Sequence, residues 1–273
     1  MRVHRIDGVE SPVRLPDADP LGPLRATLAA AFRDKKLKGL APELVVGDGP
    51  GWICAGSIAD GTRLPELLDA VARRRQATPH AAATLAWKAY TYAVALPAVL
   101  GWASARRVPL VRATDVVVRL DSPDSVLTVA LRPSVRVAVL PWDPTARGGG
   151  VEVATDEAGL LAALRGALVD AHLGPMLTHI RMVARVSSRS LRGSLASGVA
   201  HAVLRAAHTL PGDAVDHVDT LLTALRVRDL VDLLPGPDGG ATVQRHTCCL
   251  AFTLPEAKIC AGCCIRLARP PGG

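Results

Sequence analysis

Five of the six cysteines in this 273-residue chain fall between positions 248 and 264. No other feature limits the chain so tightly, because sulfurs crowded this closely dictate the backbone that carries them. The segment reads Arg245-His246-Thr247-Cys248-Cys249-Leu250-Ala251-Phe252-Thr253-Leu254-Pro255-Glu256-Ala257-Lys258-Ile259-Cys260-Ala261-Gly262-Cys263-Cys264. Its skeleton is an adjacent cysteine pair, ten residues, a cysteine, two residues, and a cysteine. The two-residue gap from Cys260 to Cys263 lets one turn present both sulfurs to a metal, and Gly262 relaxes the backbone there. The adjacent pair is less usual. Neighbours on a flat strand point to opposite faces, so Cys248 and Cys249 are expected on a turn, or on different atoms of an extended centre.

Four thiolates satisfy a [2Fe–2S] rhomb, two on each iron. A structural zinc site is the leading competitor, although zinc sites generally use two gapped pairs. A redox disulfide at Cys260 and Cys263 and a set of inert buried thiols are the remaining readings. Cys54 stands alone at the end of an apolar run and reads as an ordinary buried thiol.

Whether thiols stay reduced depends on the compartment. Residues 1–20 contain no apolar signal-type core, so the expectation is a cytoplasmic chain, in which clustered cysteines point to metal before disulfide. The strongest membrane candidate, 81–104, is alanine-rich and interrupted by Lys88 and Pro97. It reads as a buried core helix, which leaves at most peripheral membrane association. Net charge is 32 minus 25, or +7. The basic runs, Arg33 to Lys38 and Arg73 to Arg75, fall at predicted helix ends, where cations suit the helix dipole. Aromatics are not interleaved with them, so no nucleic-acid partner is expected.

Only 3% of residues are aromatic, so the core must rest on Ala, Val and Leu. Helical spacing marks 21–37, a helix capped at Thr62 running to about 74, and the long helix from Pro79. Short strands are expected at 44–46 and 51–55. The β-branched runs 115–120, 125–131 and 135–140 read as an antiparallel meander. Helices return at 156–171, 174–185, 189–209 and 213–234, and 235–240 reads as a linker or tight loop. Gly148-Gly149-Gly150 has no phosphate-loop spacing. The fold class is therefore α+β, predominantly helical, with a small antiparallel sheet and a C-terminal cysteine-rich tail. Residues 1–240 form the mixed α+β region and 241–273 the cysteine segment, together one integrated domain. His201 and His208 share a helix face without a carboxylate partner, and Asp216 and Asp219, near His217, read as a polar helix face.

The skeleton Cys-Cys-x10-Cys-x2-Cys at the C-terminus resembles that of the FhuF-like ferric-siderophore reductases, as do Arg245, Phe252 and Leu254-Pro255. A looser likeness covers Lys88-Ala89-Tyr90 through Leu96 to Leu100, Leu173 to Leu177, and Ser190 to Ser197. That family often has Trp and Asn where this chain has Arg192 and Ser194. The resemblance implies that Cys248, Cys249, Cys260 and Cys263 ligate a [2Fe–2S] cluster. Cys264 is an additional thiol: either a spare, or a substitute for Cys263 with a three-residue gap. The spacing favours Cys263.

The resemblance further implies a siderophore-binding region within 1–240 and a [2Fe–2S]-binding segment at 241–273. The implied reaction is one-electron reduction of Fe(III) in an oxygen-donor chelate, which releases Fe(II) because Fe(II) binds such donors more weakly. A hydroxamate-type ferric siderophore is the favoured partner. No nicotinamide or flavin fingerprint is present, so electrons are expected from a ferredoxin or flavin reductase. Arg245, His246 and Lys258 lie near the ligands in sequence and are candidates for raising the cluster's potential. Two alternatives belong to other classes. One is a siderophore- or iron-binding protein whose four cysteines hold zinc; the other is an iron–sulfur redox sensor.

Overall fold

The computed structural model describes residues 19–33, 37–122, 125–236, 239–260 and 262–267. In chain order the elements are α1 (Gly22–Ala31), β1 (Leu40–Val45), β2 (Ile53–Cys54), α2 (Ala55–Ala59), α3 (Leu64–Arg75) and α4 (Pro79–Ala105). Then come β3 (Val108–Pro109), β4 (Val116–Ser122), β5 (Ser125–Leu131), β6 (Val137–Val139), β7 (Val151–Val153), α5 (Glu157–Arg165), α6 (Gly174–Ala184) and α7 (Ser188–Ala206). The chain ends with α8 (Ala214–Ala224), β8 (Val231–Pro235), β9 (Ala241–Arg245) and α9 (Cys264–Leu267). The class is mixed α+β, as the sequence indicates, with the cysteines gathered near the C-terminus.

Helix α4 is the axis of the molecule. Thr78 caps it, with Oγ1 accepting from the Ala81 N–H, and Pro79 occupies the first turn, where a missing N–H costs nothing. Its alanines let neighbouring backbones close in from all sides, and most of its residues are buried, including Trp87, Tyr90 and Trp102. The reading of 81–104 as a core helix is thus realised. Trp87 Nε1 donates to the Leu191 carbonyl at 2.7 Å, which fastens α4 to α7 along their packed faces. Because each buried donor is expensive to leave unpaired, this bond fixes the relative height of the two helices.

The sheets differ from the expected meander. β4 and β5 do form an antiparallel hairpin, but β1 lies parallel against the outer edge of β5. The four-stranded order is β1-β5-β4-β2. With that edge taken, β6 pairs instead with β3, antiparallel, and β7, parallel, in a separate sheet. Both sheets are therefore mixed, not antiparallel.

Two further expectations are corrected. The predicted helix 213–234 stops at Ala224, because Arg226 adopts a left-handed conformation and Val231–Pro235 pairs as β8 with β9. Of the two readings of 235–240, linker or tight loop, the second holds: the stretch closes the β8–β9 hairpin, with the Gly236 N–H donating to the Gly240 carbonyl. Thr62 caps nothing: α3 starts after Arg63 with no side-chain cap, and Asp60 Oδ1 accepts from the Thr62 N–H instead. The basic run at 33–38 lies partly outside the described residues, whereas Arg73, Arg74 and Arg75 close α3 as expected.

Helices α5 and α6 fuse through a π-helical stretch, Gly166–Leu173, ahead of Pro175. Proline removes an N–H and crowds the preceding turn, which the wider turn relieves. Among the described residues this combined Glu157–Ala184 helix is the one stretch long and apolar enough, by length and composition, to cross a membrane.

Candidate functional site

Strand β9 delivers the cysteine segment onto α7. The face of α7 there is built from small residues, Gly193, Ser194 and Ser197, all buried. A Cβ on Gly193 would occupy the space of the Thr247 side chain, so glycine is what lets the segment sit against the helix. Arg245, the last residue of β9, points inward and is only 2% exposed. Its Nη2 donates to Ser194 Oγ at 3.0 Å. Among the described residues its Nε and Nη1 are buried without a well-aligned hydrogen-bond partner, and the guanidinium is directed at the Cys249 thiol.

From this anchor the chain turns twice. Leu250, in the left-handed region, reverses it just past Cys249, and its N–H donates to Cys248 Sγ at 3.3 Å. The excursion between the two halves of the motif is closed where the Lys258 N–H donates to the Ala251 carbonyl at 3.1 Å. Cys260 and Cys263 then occupy a tight turn, with the Cys263 N–H donating to the Cys260 carbonyl at 3.2 Å. That turn is pressed against β9: the Arg245 N–H donates to the Gly262 carbonyl at 2.9 Å, and a Cβ on Gly262 would collide with the Val243 carbonyl. Spacing alone indicated a turn at 260–263; the structure adds that the turn folds back onto the strand preceding the adjacent pair.

The thiols act on one another electrostatically. Burial pushes the Cys260 thiol up, and Cys263 and Cys249 push the same way. Cys264 is raised by burial, then by Cys248 and Cys263. Cys249 behaves differently. Burial would raise it, but the Lys88 ammonium, the Ala251 N–H and the Arg245 guanidinium outweigh that term and hold the thiol below its usual value. Lys88 Nζ stands 3.7 Å from Cys249 Sγ. Among the described residues no three His, Cys, Asp or Glu side chains stand in an arrangement that could hold a metal ion. The thiols are gathered but not closed around a point.

The donor set nonetheless fits a metal–thiolate centre. Four thiolates around two ferric ions and two sulfides, or around one zinc ion, leave net negative charge. A buried guanidinium with two unmatched N–H groups, and an ammonium beside one sulfur, are the groups such a centre needs in order to be buried.

Of the three cations expected near the ligands, only Arg245 faces them. His246 turns away: Nε2 meets Asp232 Oδ2 at 2.7 Å, and this hydrogen bond raises its pKa. Lys258 is exposed on the excursion, as is Phe252, while Leu254 is buried. No sequence spacing joins Lys88 to Cys249, since 161 residues separate the two, yet the fold sets them side by side. His201 is exposed on α7, whereas His217 is buried, edge-on to Trp102, with Nε2 at 2.6 Å from the Pro211 carbonyl. Asp216 and Asp219 are exposed, as a polar helix face requires, and His217 points away from it into the core. Cys54 is remote from the cluster, half-buried, with Sγ 3.7 Å from the Ala113 carbonyl.

No family model and no curated protein matches this chain. Among solved structures it is similar to ATP-bound aerobactin synthetase IucA from a hypervirulent pathotype of Klebsiella pneumoniae. The identity is 16% and the TM-score 0.48, over 63% of this chain and 31% of that one.

Proposed function

We propose that the protein is an iron–sulfur oxidoreductase that reduces Fe(III) held by a siderophore. In this reading Cys248, Cys249, Cys260 and Cys263 hold a [2Fe–2S] cluster, which supplies a one-electron donor. The observation that carries it is the cationic frame of the thiols: Arg245 buried with two unmatched N–H groups, and Lys88 at 3.7 Å from Cys249. The spacing of the four cysteines, similar to that of the FhuF-like reductases, supports the same assignment.

Each residue has a definite task. Lys88 and Arg245 offset the negative charge of the thiolates and favour the more negative, reduced state. Ser194 holds the guanidinium in place through Nη2 and leaves its other donors facing the sulfurs. Gly262 and Gly193 let the two halves of the segment approach β9 and α7. When bound, the cluster would supply one electron to chelated Fe(III), and the Fe(II) formed would leave an intact chelator because Fe(II) binds its oxygens more weakly. A separate donor, a ferredoxin or flavin reductase, restores the electron. The cytoplasm, where thiols stay reduced, is the compartment this chemistry suits.

Anaerobic purification followed by iron, sulfide and zinc analysis tests the assignment, with visible spectra before and after dithionite. Two irons and two sulfides per chain, with bands that bleach on reduction, are expected. Stoichiometric oxidation of the reduced protein by a ferric siderophore, with Fe(II) trapped by a colorimetric chelator, completes the test. One zinc in a colourless protein overturns the reading in favour of a binding module with a structural zinc site. A cluster that reduces no ferric chelate favours a sensor.

A further inference from the structure

The two helices that frame the cysteine segment share an unusual charge pattern. Neither α4 nor α7 contains a single Asp or Glu. In the cysteine segment, 241–267, the only acidic residue is Glu256. In a chain with 25 acidic residues, their near-absence from the elements around one site leaves that region's cations uncompensated.

The cations are also placed together. On α4, Lys88 and Tyr92 stand one turn apart, both half-buried. On α7, His201 and Arg205 stand one turn apart, both exposed. The helices are joined here by small-residue packing, since Gly198 lies against Tyr92, within van der Waals contact of where a Cβ would be. Arg205 Nη1 donates to the Tyr92 hydroxyl at 3.4 Å, which holds the guanidinium over the seam. Desolvation between the packed helices, then the positive charges of Lys88, Arg205 and Arg245, push the His201 pKa down to about 4, so its imidazole is a neutral hydrogen-bonding group on this face. The same Lys88 and Arg245 act on Cys249 and Cys260. The seam is therefore continuous with the thiol cluster. Its inner cations, Lys88 and Arg245, face the sulfurs, and its outer groups, Arg205, His201 and the Tyr92 hydroxyl, face solvent.

We infer that this α4–α7 seam is the chelate-binding face, and that it selects ferric chelates of net negative charge, with catecholate or carboxylate oxygens, over neutral hydroxamate chelates. The inference rests on the reductase reading and sharpens its substrate class, since hydroxamates are what the sequence resemblance favours. The physical argument is complementarity. Exposed guanidinium and phenol groups present N–H and O–H donors to anionic oxygens, and no carboxylate on either helix repels them. A neutral chelate gains nothing from that field.

Binding can be separated from reduction by using gallium(III), which matches the coordination of Fe(III) but accepts no electron. The full chain, purified anaerobically with its metal content measured, is titrated by calorimetry. The probes are a trianionic gallium tris-catecholate, an anionic gallium α-hydroxycarboxylate complex and a neutral gallium tris-hydroxamate. At least one anionic chelate is expected to bind about ten-fold or more tightly than the neutral one, with affinity falling as salt rises. Arg205→Glu is expected to weaken that binding by about ten-fold or more and to leave the neutral chelate unchanged, with circular dichroism and melting temperature unaltered. Arg205→Gln, which removes the charge without reversing it, serves as the milder variant at the same position, expected to weaken only the anionic ligand.

Equal or tighter binding of the neutral chelate overturns the inference, and so does an Arg205→Glu variant that binds the anionic chelates normally. Neither result bears on the cluster, whose presence the metal analysis and the spectrum decide separately.

Discussion

The Lys88 ammonium stands 3.7 Å from the Cys249 sulfur, although 161 residues separate the two. A unit charge that close to a centre gaining an electron stabilises the reduced form. At about 5 Å from the redistributed charge, and between the dielectric of water and about 20, the effect is roughly 1–3 kcal/mol. For a one-electron couple that is roughly 40 to 130 mV. Lys88→Met keeps the stem and removes the charge. Its cluster midpoint potential, followed by spectroelectrochemistry, is expected to fall by this amount with the visible spectrum preserved. An unchanged potential removes Lys88 from the centre.

Arg245 leads to a second expectation. A guanidinium that is 2% exposed and has two unmatched N–H groups is costly in a protein without its metal. Binding an anionic thiolate centre relieves that cost, so the gap in melting temperature between metal-loaded and metal-free protein should be large. Arg245→Leu is expected to stabilise the metal-free form, or leave it unchanged, while shrinking the gap by more than half, as differential scanning calorimetry would record. A destabilised metal-free variant with an undiminished gap would show that Arg245 serves the fold alone.

Gly262 separates fold from site. Its missing side chain lets the Cys260–Cys263 turn lie against the Val243 carbonyl. Gly262→Ala pushes the turn off β9 and breaks the bond from the Arg245 N–H, yet touches neither α4 nor the two larger sheets. The expected variant keeps its helical circular dichroism and loses at least half of its bound metal. Full metal retention would mean that the turn is free to move.

The thiols themselves are separable by substitution. Cys248→Ser, Cys249→Ser, Cys260→Ser and Cys263→Ser should each abolish or severely reduce the visible spectrum. Cys54→Ser, remote from the cluster, should leave it intact, and so should Cys264→Ser. Should Cys264→Ser bleach the protein while Cys263→Ser does not, the three-residue spacing is the one in use. Because Cys264 is raised by both Cys248 and Cys263, it lies near enough to compete.

These tests show where sequence reading succeeds. The cysteine motif and the core helix were legible because their signals are local: spacing in one case, alanine content and a proline start in the other. The meander failed at β6 because strand pairing is settled by which edge is free, and β1 had taken the edge of β5 from more than 80 residues away. β8 was hidden for a similar reason, since its β-branched and leucine content also suits a helix until β9 offers a partner. Lys88 was visible as a residue but not as a neighbour of Cys249. That contact arises only after α4 and α7 have packed and β9 has laid the cysteines across them.

A final prediction concerns a buried pair that serves the fold and not the site. His172, at the end of the π-helical stretch, is wholly buried. Its Nε2 is 2.6 Å from the Tyr90 hydroxyl and its Nδ1 is 2.7 Å from the Val111 carbonyl. Nδ1 therefore carries the proton and donates, and Nε2 accepts from Tyr90. Burial pushes the His172 pKa down to about 4 from 6.5. The unfolded chain takes up a proton through the range between those values while the folded one does not, so stability is fully present above about 6.5 and is lost as pH falls towards 4. The full loss is about 3 kcal/mol at 1.36 kcal/mol per unit. Denaturant titrations at pH 7.5, 6, 5 and 4.5 should show the midpoint dropping across roughly this window. His172→Gln, which can still donate to Val111 and accept from Tyr90, should be less stable at neutral pH but should lose most of this pH dependence. A variant with the same slope as the parent would place the acid sensitivity elsewhere.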